Sequence, residues 1–331
     1  MFLYTINTKD SREKLAQYIS LGARCFRINF GRKTIAQNLQ QMALLSSMTE
    51  KLPNANLFFD LPGNKVRLGG FKEGRVSIKK GKEIELKPSG NALSTSTTCY
   101  FKDGFFQNYI AGDILFFSSG LSAKILDKSE NCYLLKACFD GELYSFCGIT
   151  VRTPNQYIEH KCLTQEEINI LHQITETKNV KFNYVCPSFA DSHELIEEIS
   201  VKFPKMSTNI VAKIESPTGV TNMQSILAKS AGIMLCRGDL SSYYSNEEMF
   251  AIGMTMSKMR ENKMFIVATD FFADFVSNGV ISKRDINDLS RYKMLNPDVI
   301  LVNETSQVED GVQLVKFCEN FDRNIQHDYY S

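Results

Sequence analysis

The stretch Val211 to Asp239, VAKIESPTGVTNMQSILAKSAGIMLCRGD, limits the folds open to this chain more than any other. Two short apolar runs, Asn209 to Ile214 and Gly232 to Leu235, flank a segment whose apolar residues Val220, Met223, Ile226 and Leu227 keep a helical period. The stretch therefore reads as strand, helix, strand. Residues two apart on a strand face the same side, so Lys213 and Glu215 project together, roughly 7 Å apart, at the strand's end. A right-handed crossover returns the second strand parallel to the first and brings Asp239 to the same rim. One ammonium and two carboxylates then share one edge. Two carboxylates with water and a substrate oxyanion suit Mg2+ or Mn2+, and a nearby lysine can stabilise an enolate or a transferring phosphoryl group. Taken alone, K-x-E at a strand end is most often a solvated ion pair and R-G-D a turn. The rest of the chain decides between the readings.

The same alternation runs through most of the sequence. Met1 to Ile6 reads as a strand, followed by a helix through Leu21 that Asp10 or Ser11 can cap and Gly22 ends. Ala23 to Phe30 (ARCFRINF) is a second strand with Arg27 and Asn29 on one face. A helix from about Thr34 to Lys51 stops at Leu52-Pro53, and a third strand, Ala55 to Phe59, closes on Asp60. After Pro154 the pattern resumes with a possible capping box from Thr164 to Glu167. Further strands are expected at Phe182 to Cys186, Asn209 to Ile214, Gly232 to Leu235, Met264 to Ala268 and Val299 to Val302, and a last helix at Val308 to Asn320 before a short polar tail. With the first three strands that makes the eight that close a (β/α)8 TIM barrel.

Between Leu68 and Arg152 no helical period is visible. Short runs (Val76-Ser77-Ile78, Ile84-Glu85-Leu86, Asp113 to Phe117, Cys132 to Cys138) are divided by glycines, which predicts a small inserted β-barrel lid domain. The expected organisation is an α/β barrel of residues 1–67 and 153–331 with a β insertion at 68–152, hinged near Gly69-Gly70 and Arg152 to Pro154. The 331 residues suffice for a barrel of about 250 plus such an insertion.

A net charge of +1 gives no reason to expect a nucleic-acid or membrane partner. The nine cysteines are odd in number and include no C-x-x-C pair, which favours reduced thiols and a cytoplasmic chain. The N-terminus, MFLYTINTKDSREK, has no basic segment before its few apolar residues and is not expected to be a signal peptide. No apolar run approaches the roughly 18 residues of a membrane span. No sequence feature sets an oligomeric state.

The order and spacing of short motifs resemble the pyruvate kinase family over nearly the whole chain. They are Thr5-Ile6, Arg27 to Phe30 (R-I-N-F), the frame Asp60, Gly63, Arg67, then Ser188-Phe189 and Ala212 to Glu215 (A-K-I-E). Gly219-Val220, Gly232 to Met234, Arg237 to Leu240 (R-G-D-L), Ala268-Thr269 and Glu304-Thr305 complete the series. The resemblance implies phosphoryl transfer from phosphoenolpyruvate to ADP, with the enolate then protonated to pyruvate. It implies Glu215 and Asp239 as divalent-metal ligands, Lys213 as the ammonium between phosphoryl group and enolate oxygen, and Arg27 as the guanidinium on the phosphate. Thr269 would stand near the substrate carboxylate and the protonation site, and the backbone N–H groups of Gly238 and Asp239 would hold that carboxylate. Asn29, Arg32 and Arg67 are the remaining expected substrate and nucleotide contacts.

Departures from the family pattern carry expectations of their own. Members that need K+ have Ser after N-F and a T-K-G-P-E run, whereas here Phe30 is followed by Gly31-Arg32 and the run is Leu61-Pro62-Gly63-Asn64-Lys65. This resembles the K+-independent type, with Lys65 supplying the charge of the monovalent ion. The family's Gly-Pro after T-I is Asn7-Thr8, its nucleotide-side His is Arg32, and its lid Asp-Asp-Gly is Ser118-Ser119-Gly120. The phosphoenolpyruvate and metal side is thus better kept than the ADP side, so another acceptor, or a catalytically silent binding protein, is the competing expectation. The sequence stops where the family continues into a C-terminal regulatory domain, which implies a specialised paralogue.

Overall fold

The structure, a computed structural model, describes residues 1–7, 10–31, 33–88, 92–101, 109–151, 159–178, 180–303 and 308–328. It divides into two compact units. One comprises Met1–Gly63, His160–Leu240 and Tyr244–Ser331; the other comprises Asn64–Glu159 and Ser241–Tyr243.

The first unit is a parallel barrel. Strands β1 (Phe2–Thr5), β2 (Cys25–Asn29) and β3 (Asn56–Asp60) alternate with helices α1 (Arg12–Leu21) and α2 (Ile35–Thr49). Ser11 caps α1 through the Lys14 N–H, and Gly22 ends it in the left-handed conformation (φ 118°) that costs only glycine little. After the insertion come α3 (Gln165–Glu176), β12 (Tyr184–Cys186), α4 (His193–Lys202), β13 (Val211–Ile214), α5 (Pro217–Lys229), β14 (Gly232–Cys236), α6 (Arg237–Leu240) and α7 (Asn246–Met259). The unit ends with β15 (Met264–Ala268), α8 (Ala273–Asn278), α9 (Lys283–Lys293), β16 (Val299–Leu301) and α10 (Val308–Asp328). The capping box expected at Thr164 is formed with Glu167. The last helix runs past the expected end at Asn320 to Asp328. No glycine or proline interrupts that segment, and Phe321 packs against Phe317 in its first part.

The eight strands form one sheet in the order β12-β3-β2-β1-β16-β15-β14-β13, every pair parallel. A parallel bridge from Val185 to Ile210 joins its two edges. Because side chains alternate along a strand, each run supplies both linings. Leu3, Cys25, Phe58, Val211, Met234 and Ile266 fill the barrel's interior, while Tyr4, Phe26, Phe59, Ala212, Leu235 and Phe265 pack outward under the helices. Strands buried on both faces read as continuous apolar runs, which is why periodicity located them.

The second unit is all β among its described residues. Strands β4 (Arg75–Ile78) and β10 (Gly141–Tyr144) make a two-stranded ribbon. Strands β5 (Glu83–Lys87), β6 (Thr98–Tyr100), β7 (Ile114–Phe117), β8 (Ser122–Ser129), β9 (Cys132–Ala137) and β11 (Ile149–Val151) form a sheet in the order β11-β7-β8-β9-β5-β6. The sheet curls, because Arg67 bridges to Gly148 beside β11 and Leu68 to Phe101 beside β6. Its core holds Leu86, Leu115, Ile125, Tyr133 and Leu135. A Cβ at Gly148 would occupy the place of the Lys65 side-chain end, which would have to swing aside. Among the described residues no helix is long and apolar enough to cross a membrane.

Candidate active site

The interior columns of the barrel change character at the carboxyl ends of the strands. Two residues beyond Cys25 stands Arg27, two beyond Phe58 stands Asp60, and two beyond Val211 stands Lys213, followed by Glu215. The strand period thus turns a hydrophobic interior into a charged rim.

At that rim the charges pair. Lys213 Nζ lies 2.8 Å from Asp60 Oδ2, 3.2 Å from Glu215 Oε1 and 2.8 Å from Ser188 Oγ. Arg27 Nη2 donates to the same Asp60 Oδ2 at 2.6 Å, and its Nη1 donates to Thr5 Oγ1 at 2.9 Å. Glu215 Oε2 accepts the Phe189 N–H at 2.8 Å. Lys213, Glu215 and Asp60 are all nearly inaccessible to solvent. Burial by itself would push the Asp60 carboxyl up, but the charges of Arg27 and Lys213 and their hydrogen bonds reverse this and hold it down at about 2. Burial opposes the charged form of Lys213 too, yet Asp60 and Glu215 raise its pKa above the ordinary lysine value. Both cations are therefore locked on.

Asp60 is the residue that sequence reasoning left out of the site. It was legible as a strand end and as the first residue of a motif frame, without a role, and nothing in its own stretch shows that the register of β2, β3 and β12 sets it between two cations. Ser188 was noted as part of a motif without a role, and the structure gives it one on Lys213.

Thr269 directly follows β15 and has φ 68°. A β-branched residue in that region is strained by roughly 1–3 kcal/mol, and Asp270 and Phe272 share it (φ 63° and 60°). Arg237 holds the turn. Its Nε donates to the Thr269 carbonyl at 3.0 Å, its Nη1 meets both oxygens of Asp288 at 2.8 and 2.9 Å, and its guanidinium stacks on Phe271 and Tyr292 at 3.9 and 4.2 Å. The Thr269 hydroxyl accepts the Gly238 N–H at 2.7 Å and donates to the Ala268 carbonyl at 2.7 Å. A substrate carboxylate at Gly238 would have to share this N–H with Thr269. Lysine can match neither the fork nor the stack of arginine. Arg237→Lys is therefore expected to lower stability by about 1–3 kcal/mol, read as a lower urea midpoint at constant slope; an unchanged midpoint would show that the clamp holds nothing.

The remaining expected residues are placed as follows. Asn29 Oδ1 accepts the Gly31 N–H at 2.9 Å, shaping the turn after β2. Asp239 lies in α6, and it and Glu215 both act electrostatically on the buried Cys236 thiol, whose pKa is raised first by burial and then by Glu215. Lys65 and Arg67 belong to the second unit, where Arg67 Nη1 donates to the Phe146 carbonyl at 3.2 Å. Arg32 and the expected Glu304-Thr305 motif lie outside the described residues. Among the described residues no three His, Cys, Asp or Glu side chains gather as a metal-binding set. Two carboxylates offer only hard oxygen donors, which fits a divalent ion that takes its other ligands from water and substrate.

A parallel eight-stranded barrel with a lysine, an arginine and carboxylates paired at its strand ends belongs to the architecture that carries its sites at the carboxyl rim. The chain belongs to the pyruvate kinase family: the model "Pyruvate kinase, barrel domain" matches residues 4–308. It is 23% identical to the pyruvate kinase of Clostridium perfringens over 99% of this chain and 71% of that protein. It is 24% identical to that of Thermococcus litoralis over 90% of this chain and 63% of the relative, and 23% identical to that of Haemophilus influenzae over 89% and 63%. The chain thus spans about two thirds of the length of these curated relatives.

Proposed function

We propose that the chain is a phosphotransferase that moves the phosphoryl group of phosphoenolpyruvate to ADP, giving pyruvate and ATP. The observation that carries this reading is Lys213, buried at the barrel rim between Asp60, Glu215 and Ser188 and kept charged by its neighbours. Glu215 and Asp239 would hold Mg2+ or Mn2+, which would supply a Lewis acid to the phosphoryl and enolate oxygens. Lys213 balances the charge that gathers as the phosphoryl group leaves the enolate oxygen. Arg27 spends two nitrogens on Thr5 and Asp60 and keeps a third buried donor, Nε, which has no hydrogen-bond partner among the described residues. A phosphate oxygen suits that donor. Thr269 would stand beside the substrate carboxylate and the carbon that takes the proton. Asn29, Arg32 and Arg67 would complete the substrate and nucleotide contacts.

The test is incubation of the purified protein with phosphoenolpyruvate, ADP and Mg2+ or Mn2+, following pyruvate directly. ADP-dependent pyruvate supports the reading. Metal-dependent binding of phosphoenolpyruvate without pyruvate would favour a different acceptor. One observation favours that second reading: the Ser118 hydroxyl, at the position of a lid carboxylate, accepts the Gly148 N–H at 2.9 Å as part of the β fold. The altered nucleotide side also favours a specialised paralogue over a housekeeping enzyme.

Monovalent ions provide a further prediction. With Lys65 as the internal cation, turnover is expected to be the same within about twofold in K+ and in Na+ at equal ionic strength. Strong stimulation by K+ would rule out that role for Lys65.

A further inference from the structure

His160 lies just before α3, 3% exposed, on the barrel side of the chain. Its Nδ1 is 2.9 Å from the Ser188 carbonyl oxygen and its Nε2 is 3.0 Å from Glu167 Oε2. Both neighbours are acceptors. A carbonyl cannot donate, and Glu167 is committed to accepting, since Oε2 takes the Thr164 N–H at 2.9 Å and Oε1 the Gly63 N–H at 3.2 Å. A neutral imidazole has one donor nitrogen and one acceptor nitrogen, so one of the two contacts would set lone pair against lone pair in a buried site.

The loop that His160 grips reaches the site directly. Ser188 Oγ accepts from Lys213, and the Phe189 N–H donates to Glu215. Phe189 has φ 50°, a conformation that a phenylalanine adopts only under constraint. On the other side Gly63, at φ 68°, touches Ser188 so closely that a Cβ would lie 2.9 Å from the Ser188 oxygen. We infer that His160 is held as an imidazolium with both ring N–H groups donating, and that it is the positioning residue that fixes Ser188 and Phe189 against Lys213 and Glu215.

The charges around the ring agree. Glu167 faces it from α3, Asp191 accepts its backbone N–H at 2.7 Å, and Glu198 on α4, which accepts the Leu163 N–H at 2.7 Å, adds a third carboxylate. Burial opposes protonation, yet the hydrogen bond and charge of Glu167 outweigh it and raise the pKa above the ordinary histidine value. A raised value means that the stabilisation is full below about pH 6.5 and is lost as pH rises through the folded value.

The positioning role rests on the reading of Lys213 and Glu215 as catalytic; the protonation state does not. The test is nitrogen-15 NMR of the histidine rings in the full chain, with His160→Gln identifying the signal among the four histidines. Expected at pH 7 is a ring with two bonded N–H protons, reduced to one in Glu167→Gln. A single N–H on His160 in the wild type would overturn the inference. In a folded His160→Gln, exchange of the Phe189 amide should speed up, and kcat with phosphoenolpyruvate should fall roughly 10–100-fold. The fall of activity at alkaline pH that follows the wild-type ring titration should disappear. An unaltered pH profile and an unaltered Phe189 exchange rate would remove the positioning role. If the wild type makes no pyruvate, the proposed function fails, and the ring protons and the Phe189 amide still decide this inference.

Discussion

Lys213→Met is expected to lower phosphoenolpyruvate-dependent turnover by roughly 10²–10³-fold while changing phosphoenolpyruvate binding little. The side chains are of similar length, so packing at the rim is kept and the charge is removed. In the proposed reaction that charge would matter most when the phosphoryl group is between oxygens, which is the condition for a loss in kcat rather than in KM. A cost in folding follows as well. Asp60 then keeps Arg27 as its cation, while the buried Glu215 keeps only the Phe189 N–H of the partners described above. Breaking a buried pair costs about 3–5 kcal/mol, so turnover must be read on protein shown to be folded. Equal losses in binding and in rate would mean that Lys213 only supports the structure.

Asp60→Asn tests the other half of the cluster. It leaves Arg27 and Lys213 facing an amide, two buried cations without the carboxylate that both of them contact. A loss of about 3–5 kcal/mol is expected at neutral pH, measured by urea unfolding. The acid range adds a second reading. Asp60 has an unfolded value near 3.9 and a folded value of about 2. A depressed folded value means stability that is present above the unfolded pKa and lost as pH falls through the folded one. Between about pH 4 and 2 the wild type should lose roughly 2 kcal/mol on this account, and Asp60→Asn should lose correspondingly less. A variant as stable as the wild type, with the same acid slope, would show that the cluster is not the buried electrostatic unit described above.

Much of the barrel was legible because its strands are short apolar runs between turn residues, and each of the eight expected runs matches an observed strand to within two residues at either end. The insertion was less so. The runs at Val76, Ile84, Ile114 and Cys132 are strands, but Ser122–Ser129 (SAKILDKS) carries three charges in eight residues and is exposed along its second part, and Thr98–Tyr100, Gly141–Tyr144 and Ile149–Val151 are only three or four residues long. Pairing makes these segments strands, for Gly141–Tyr144 and Ile149–Val151 with partners distant in sequence, and local pattern does not reveal it. The site divides along the same line. Lys213 beside Glu215, and Arg27 on the same face as Asn29, follow from a period of two. Asp60 between two cations, Arg237 on the Thr269 carbonyl and His160 on Ser188 are contacts between elements, set by register and loop path. Glu167 shows the limit well, since its capping role was visible three positions from Thr164 while its bond to His160 was not.

The bridge from Val185 to Ile210 is the seam where the barrel closes on itself, and few backbone bonds hold it. Beyond it, Lys213 N–H donates to the Pro187 carbonyl and Ala190 N–H to the Lys213 carbonyl, while the side chains of Lys213 and Glu215 reach Ser188 and Phe189. Asp191 accepts the Ser216 hydroxyl across the same line. The polar cluster is therefore also a zipper that finishes the cylinder, so conditions that loosen the chemistry and conditions that let the barrel breathe are the same. Amide exchange at Val185 and at Phe189 would then report on one event.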